Sequence, residues 1–171
     1  MTTISLPSTL TSIGNRAFSV CSSLQSITIP KGVTSIGQSA FNYCTGLTEL
    51  EIPYGVESIA SATFNFCKGL KSVHIPESVT AIGYEAFYGC EGLESITLPA
   101  SLTSIEFQAF YRCLYLASIY CKSTTPPSGA VNMFKEYYVK RKIYVPTSSV
   151  SAYQTAEHWS DYASLIVGHN F

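Results

Sequence analysis

Charge is scarce in this chain: Asp, Glu, Lys and Arg together make up 12% of the residues, and the formal net charge is −1. That balance gives no reason to expect nucleic acid or an anionic membrane surface as a partner. The groups used most in catalysis are scarcer still, with 3 histidines and Asp161 as the single aspartate. His158 and Asp161 are spaced i, i+3 near the end of an expected tail helix and read as an exposed pair. A Ser-His-Asp site would also need a serine held against that histidine, and nothing in the sequence places one. His74, His158 and His169 share no ligand-like spacing, so no metal centre is expected. No glycine motif of the phosphate-cradling kind occurs. No apolar run approaches the roughly 18 residues that cross a bilayer, so no membrane insertion is expected. Residues 1–6 lack the basic start and apolar stretch of a signal peptide. The expectation is a chain without catalytic residues, metal or cofactor.

What is abundant is apolar, 46% of the chain, and it is phased. The stretch from Pro30 to Ile52 recurs from Pro7, Pro53, Pro76 and Pro99, so the chain repeats every 23 residues. A fixed period in the twenties with aliphatic residues at fixed offsets is the signature of a leucine-rich solenoid. The expected fold is therefore a β-rich α/β repeat solenoid, right-handed, with 23-residue coils and a C-terminal cap. Its full coils run 7–29, 30–52, 53–75, 76–98 and 99–121. A partial coil, 1–6, precedes them, with Ile4 and Leu6 in the register of Ile27 and Ile29. A start partway through a repeat leads us to expect a piece of a longer protein, with self-association at the open N-terminal coil.

Within each coil one segment alternates, as in Ser26-Ile27-Thr28-Ile29 and Glu49-Leu50-Glu51-Ile52. That period of two puts aliphatic residues on one face of a short strand and polar ones on the other. A second extended piece carries Val33 and Ile36 and their copies; Gly14, Gly37 and Gly83 then read as a tight turn. An Ala-Phe pair fills the far side of each coil, with Thr63-Phe64 the one exception. Each coil offers about six large apolar side chains, worth roughly 1.5–3 kcal/mol apiece when buried. Ordering its backbone costs about 1–2 kcal/mol per residue, so a single coil cannot fold alone.

Of the 6 cysteines, Cys21, Cys44, Cys67, Cys90 and Cys113 fall on the period, and no CxxC pair exists. They read as a column of buried thiols acting as small hydrophobes, with parallel side chains poorly aimed for disulfides. Cys121 sits in the register of Ile29 and reads as core. Beyond it, residues 122–129 read as loop, and Ile143-Tyr144-Val145-Pro146 copies Ile27-Thr28-Ile29-Pro30. Residues 122–171 are thus expected to form a degenerate coil and cap. Val150, Tyr153, Ala156 and Trp159 stand at helical spacing behind Ser148 or Ser149, with Trp159 as the plug. Lys140-Arg141-Lys142 reads as a solvated edge.

The five copies typified by Leu24-xx-Ile27-x-Ile29-Pro30-xx-Val33-xx-Ile36-Gly37-xx-Ala40-Phe41-xx-Cys44 resemble the BspA-like (Treponema pallidum type) leucine-rich repeats of bacterial surface proteins. The resemblance covers residues 4–121. It implies an extracellular or cell-surface protein, some relatives binding host extracellular proteins or other cells, and it carries no catalytic residues across. The partner implied is an extracellular protein or glycan; the alternative is a structural spacer that presents another domain of a longer surface protein.

Recognition is then expected on the exposed strand face, where polar positions align as two columns. One is Thr3, Ser26, Glu49, Ser72, Ser95 and Ser118; the other is Ser5, Thr28, Glu51, His74, Thr97 and Tyr120. Most members suit a solvated ladder. Glu49, Glu51, Lys71, His74 and Tyr120 break the Ser/Thr monotony and are the expected binding patch. A second candidate surface is the aromatic set on the opposite bend, Tyr43, Phe66, Tyr88 and Tyr111; these do not share one repeat offset, so packing between coils explains them at least as well.

Overall fold

A strand with aliphatic residues on one side must bury that side, and here each coil buries it against the coils before and after. The computed structural model describes residues 2–171, which wind as a parallel β-solenoid of about 7 turns. The longer strands are β1 (Thr2–Ser5), β3 (Leu24–Thr28), β5 (Glu49–Glu51), β7 (Ser72–His74), β9 (Ser95–Leu98), β11 (Ser118–Cys121), β12 (Lys142–Pro146) and β13 (Ile166–His169). Between the first six lie the two-residue strands β2 (Ser12–Ile13), β4 (Ser35–Ile36), β6 (Ser58–Ile59), β8 (Ala81–Ile82) and β10 (Ser104–Ile105).

Every ladder is parallel. The longer strands pair as β1-β3, β5-β7 and β9-β11-β12-β13, and the short ones as β2-β4 and β6-β8-β10. Ile4 pairs with Ile27, Leu50 with Val73 and Ile96 with Ile119, the repeat period carried into space. From Ile119 to Ile143 the step is one residue longer, and from Ile143 to Ile166 it returns to the period. Residues 122–145 therefore complete a full turn. Ser128 holds the place of the short strand through a single bridge to Ser104, and Met133-Phe134 stands where earlier coils have Ala-Phe.

The Phe side closes each coil without a strand. Its amides donate to the next coil, as in Phe18 to the Ala40 carbonyl at 2.8 Å and Phe41 to Thr63 at 2.9 Å. Two positions per coil there take left-handed backbone, nearly all without glycine: Arg16, Ser39, Ala62, Glu85 and Gln108 in one column, Val20, Tyr43, Phe66, Gly89 and Arg112 in the other. Asn132 and Glu136 continue both columns into the sixth turn. Such a conformation is unfavourable by about 1–2 kcal/mol for a residue with a Cβ. The hydrogen bonds between coils hold it in place.

Gly14, Gly37 and Gly83 each open the expected tight turn, their carbonyls accepting from Ala17, Ala40 and Ala86 at 3.3, 3.2 and 3.2 Å, without taking positive φ themselves. Gly37 also permits close approach: a Cβ there would lie 2.5 Å from Asn15 Oδ1. Gly89 is the glycine with positive φ, at 68°.

Inside runs a rod of rings. Phe18, Phe41, Phe64, Phe87, Phe110 and Phe134 stack with successive centroids 5.2, 5.6, 5.2, 5.1 and 5.4 Å apart. Beside them each thiol donates to a phenylalanine carbonyl one coil back: Cys44 to Phe18 at 3.0 Å, Cys67 to Phe41 at 3.1 Å, Cys90 to Phe64 at 3.2 Å and Cys113 to Phe87 at 3.1 Å. All six cysteines are free. Where Thr63 replaces alanine, its hydroxyl is buried and donates to the Ala60 carbonyl at 2.7 Å.

The tail departs from one continuous helix. A 3-10 turn (Thr147–Ser149) leads into α1 (Val150–Thr155), which stops at Ala156, where the backbone turns extended. A second 3-10 turn (Ser160–Leu165) then delivers the chain to β13. Ser149 holds the N-cap position without a side-chain cap bond. Trp159 is fully buried, as a plug should be; its indole N–H donates to the Pro127 carbonyl at 2.7 Å, and its ring meets Phe134 and Tyr153. His158 falls in the break with φ 61°, so the expected helix pair with Asp161 does not form; the carboxylate near His158 is Glu157, at 3.8 Å.

Candidate functional site

The polar columns of the strand face are assembled as their alternation requires. Thr3 pairs with Ser26, Glu49 with Ser72, and Ser95 with Ser118; beside them Ser5 pairs with Thr28, Glu51 with His74, and Thr97 with Tyr120. The aliphatic partners of these residues point into the core, where Leu50, Ile96 and Ile119 are at most 5% exposed. The polar set is thereby held on a surface stiffened from behind.

Four of the five expected residues share one region of that surface. Glu49 and Glu51 lie on β5, with His74 and, just before its strand, Lys71 in the adjoining coil, and all four are exposed. Among the described residues none of the four has an ion-pair partner, whereas Lys68, Arg112 and Lys122 pair with Glu91, Glu136 and Glu77. An exposed unpaired charge remains available to an outside partner.

Tyr120 belongs elsewhere. It is half-buried, its ring stacked on Tyr144 with centroids 4.7 Å apart and meeting His169 edge-on at 5.7 Å. His169 in turn packs against Phe171 at 4.8 Å. The structure thus splits the expected patch into a charged region on β5 and β7 and an aromatic cluster at the C-terminal end. Tyr144 was within reach of sequence reasoning, because it occupies the Thr28 position in the copied strand. His169 and Phe171 carried no such signal, since no periodic pattern announces β13.

The basic run Lys140-Arg141-Lys142 is not a solvated edge. Arg141 is 3% exposed and donates to three carbonyls, from Nε to Leu116 at 2.7 Å, from Nη2 to Cys113 at 2.9 Å, and from Nη1 to Phe134. Phe134 is the last phenylalanine of the rod, so no later cysteine comes to its carbonyl. The guanidinium takes that role. Burial pushes its pKa down from the ordinary value, the nearby thiol and phenols opposing. Lys140 and Lys142 stay exposed on either side.

The aromatic set on the Phe-side bend packs between coils, as expected, and the change of offset has a cause. Tyr43 stacks on Phe66 at 4.8 Å, Phe66 meets Tyr88 at 5.2 Å, and Tyr88 stacks on Tyr111 at 5.3 Å. The row steps over by one position because Gly89 occupies the column of Phe66: a Cβ there would lie 2.8 Å from the Phe66 ring.

Among the described residues no group of three or more His, Cys, Asp or Glu side chains converges as a metal site, and no helix is long and apolar enough to cross a membrane.

Comparison with known proteins places this geometry. The family profile described as the BspA type leucine-rich repeat region matches in 6 copies, over residues 1–117 and 34–155. Among solved structures, a leucine-rich repeat protein of T. pallidum aligns with TM-score 0.69 and 26% identity, covering 95% of this chain and 81% of that one. A leucine-rich repeat protein of Bacteroides ovatus ATCC 8483 aligns with TM-score 0.62 and 24% identity over 88% of this chain, which spans 49% of that protein's length. The latter likeness is one of fold. No curated protein matches the sequence.

Proposed function

This chain belongs to the BspA type leucine-rich repeat family, and from that premise we propose that it is a non-enzymatic binding module that recognises an extracellular protein or glycan through its strand face. The family is a repeat scaffold of the kind that works by presenting surface, typically outside the bacterial cell, and the proposal places this chain there. One observation carries the reading. Glu49, Glu51, Lys71 and His74 stand exposed and unpaired, among the described residues, on a sheet face otherwise made mainly of serine and threonine. A rigid sheet has no backbone left to order on binding, and charges without internal partners are free to give specificity. A spacer role is favoured by the serine and threonine over the rest of the face, which suits water more than a partner.

The test is a binding screen of the purified protein against extracellular-matrix proteins, mucins and glycans, beside a variant carrying Glu49→Ser, Glu51→Ser and His74→Thr. Equal melting temperatures establish that both are folded. A partner bound by the wild type and lost, by tenfold or more, in the variant supports the strand face. Unchanged binding by the variant removes the site from that face, and binding by neither favours the spacer.

A further inference from the structure

The C-terminal end carries a second surface, continuous with the strand face through Ser118, Lys142 and Tyr144 but chemically unlike the charged region on β5 and β7. The chain is charged unevenly: residues 122–142 hold five basic side chains and one acidic, Glu136, although the whole protein is close to neutral. The longer sixth turn lines a groove of about 750 Å³ with Tyr137, Tyr138, Lys140, Lys142 and Tyr144, flanked by Ser118 of the fifth coil and Leu165 of the second 3-10 turn. That volume lies within the range of small-ligand sites, roughly 300–1,000 Å³.

We propose that this groove binds an acidic oligosaccharide, its sugar rings lying on the tyrosines and its carboxylate or sulfate groups on Lys140 and Lys142. Two features argue for prepared contacts. Tyr138 is 75% exposed and Tyr137 40%, and both line the one groove, so both rings are within reach of a ligand there. Tyr137 is also held in place from beneath, its ring centroid 4.4 Å from the Arg141 guanidinium, which is itself tied to three backbone carbonyls. Tyr144 is fixed in the same way by its stack on Tyr120.

The charge argues for the sign of the ligand. Among the described residues neither Lys140 nor Lys142 has a carboxylate partner. A lysine ammonium is a compact point charge that accepts a carboxylate or sulfate from many directions. The ladder argues against a peptide strand. β12, which forms one wall, is paired on both sides, by β11 and β13, so it has no free edge for main-chain bonds. What remains on offer is ring faces and ammonium tips. A pyranose with an anionic substituent uses both, its C–H face against an aromatic ring and its hydroxyls left in water.

Calorimetric titration of the intact protein tests this, with oligosaccharides of hyaluronan (carboxylate), dextran sulfate (sulfate), neutral dextran and poly-glutamate as probes. Binding of either anionic sugar, with neutral dextran and poly-glutamate at least tenfold weaker, is expected, and the better of the two sugars identifies the anion. Lys140→Gln with Lys142→Gln should weaken that binding tenfold or more, as should Tyr138→Ser alone, a change at an exposed ring that leaves the core intact. Lys31→Gln, far along the solenoid, should change nothing, and neither should the strand-face variant, so the fate of this groove is separable from that of the strand face. Equal affinity for poly-glutamate, full affinity in Tyr138→Ser, or no binding of either acidic sugar overturns the proposal.

Discussion

Arg141 shows how much one side chain can decide. Its three hydrogen bonds reach Leu116, Cys113 and Phe134, joining the fifth coil to the sixth where the thiol column has run out. Arg141→Met would remove this donor from all three carbonyls, Cys113 alone keeping the Leu116 amide at 3.1 Å, and is expected to lower unfolding free energy by about 3–5 kcal/mol in a denaturant titration. Arg141→Lys should recover little, because an ammonium cannot reproduce the planar fork. Lys140→Ala should be near neutral, and a loss there equal to that at Arg141 would refute this account. The thiols supply a prediction in pH. Burial raises Cys44 to about 11 and Cys113 to about 12, from an ordinary value of 9.0. Since the folded pKa values are raised, stability is full below pH 9 and falls above it, where the unfolded thiols ionise and the folded ones do not. The unfolding free energy should therefore drop between pH 9 and pH 10, by about 1 kcal/mol for each fully buried thiol.

At the scale of the element, the Phe-side bends are built from left-handed residues that are mostly not glycine. Ala62, with φ 53°, is one of them. Alanine to glycine usually destabilises, but here the backbone already sits where a Cβ is penalised, so Ala62→Gly should raise stability by up to about 1 kcal/mol. A fall in melting temperature would mean that the bend is less strained than its dihedral angle implies. Gly89→Ala should act in the opposite sense, since its Cβ would press on the Phe66 ring at a φ that disfavours any side chain. Pairing it with Phe66→Ala should restore part of the loss in a double-mutant cycle, because the two residues compete for one space.

Across the whole molecule, the rod of six phenylalanines needs an end that excludes water, and the tail provides it. Trp159 and Tyr162 close over Phe134 with centroids 5.8 and 5.6 Å away, and the Tyr162 hydroxyl oxygen accepts the Phe134 amide at 3.2 Å. Trp159→Ala would open a cavity at the end of the rod and is expected to cost about 3–5 kcal/mol. Because each coil is stabilised by its neighbours, that loss should appear as earlier unfolding from the C-terminal end, visible as faster amide exchange in β12 and β13 than in β5. Uniform acceleration along the chain would show instead a single cooperative unit.

The coil length, the strand positions, the buried face of each strand and the aligned polar columns were all legible in the sequence, because each depends on a local pattern repeated every 23 residues. Repetition makes a weak signal strong: Ile27, Leu50, Val73 and Ile96 point inward for the same reason. The residues that occur once had no such support. Nothing within Lys140-Arg141-Lys142 tells which cation is buried, since its three acceptors lie 7, 25 and 28 residues away. The joining of His169 to Tyr120 and Tyr144 likewise arose only when the tail folded back as β13. Periodic hydrophobicity dictated the solenoid; contacts between non-repeated residues on different coils decided how it ends and what it presents there.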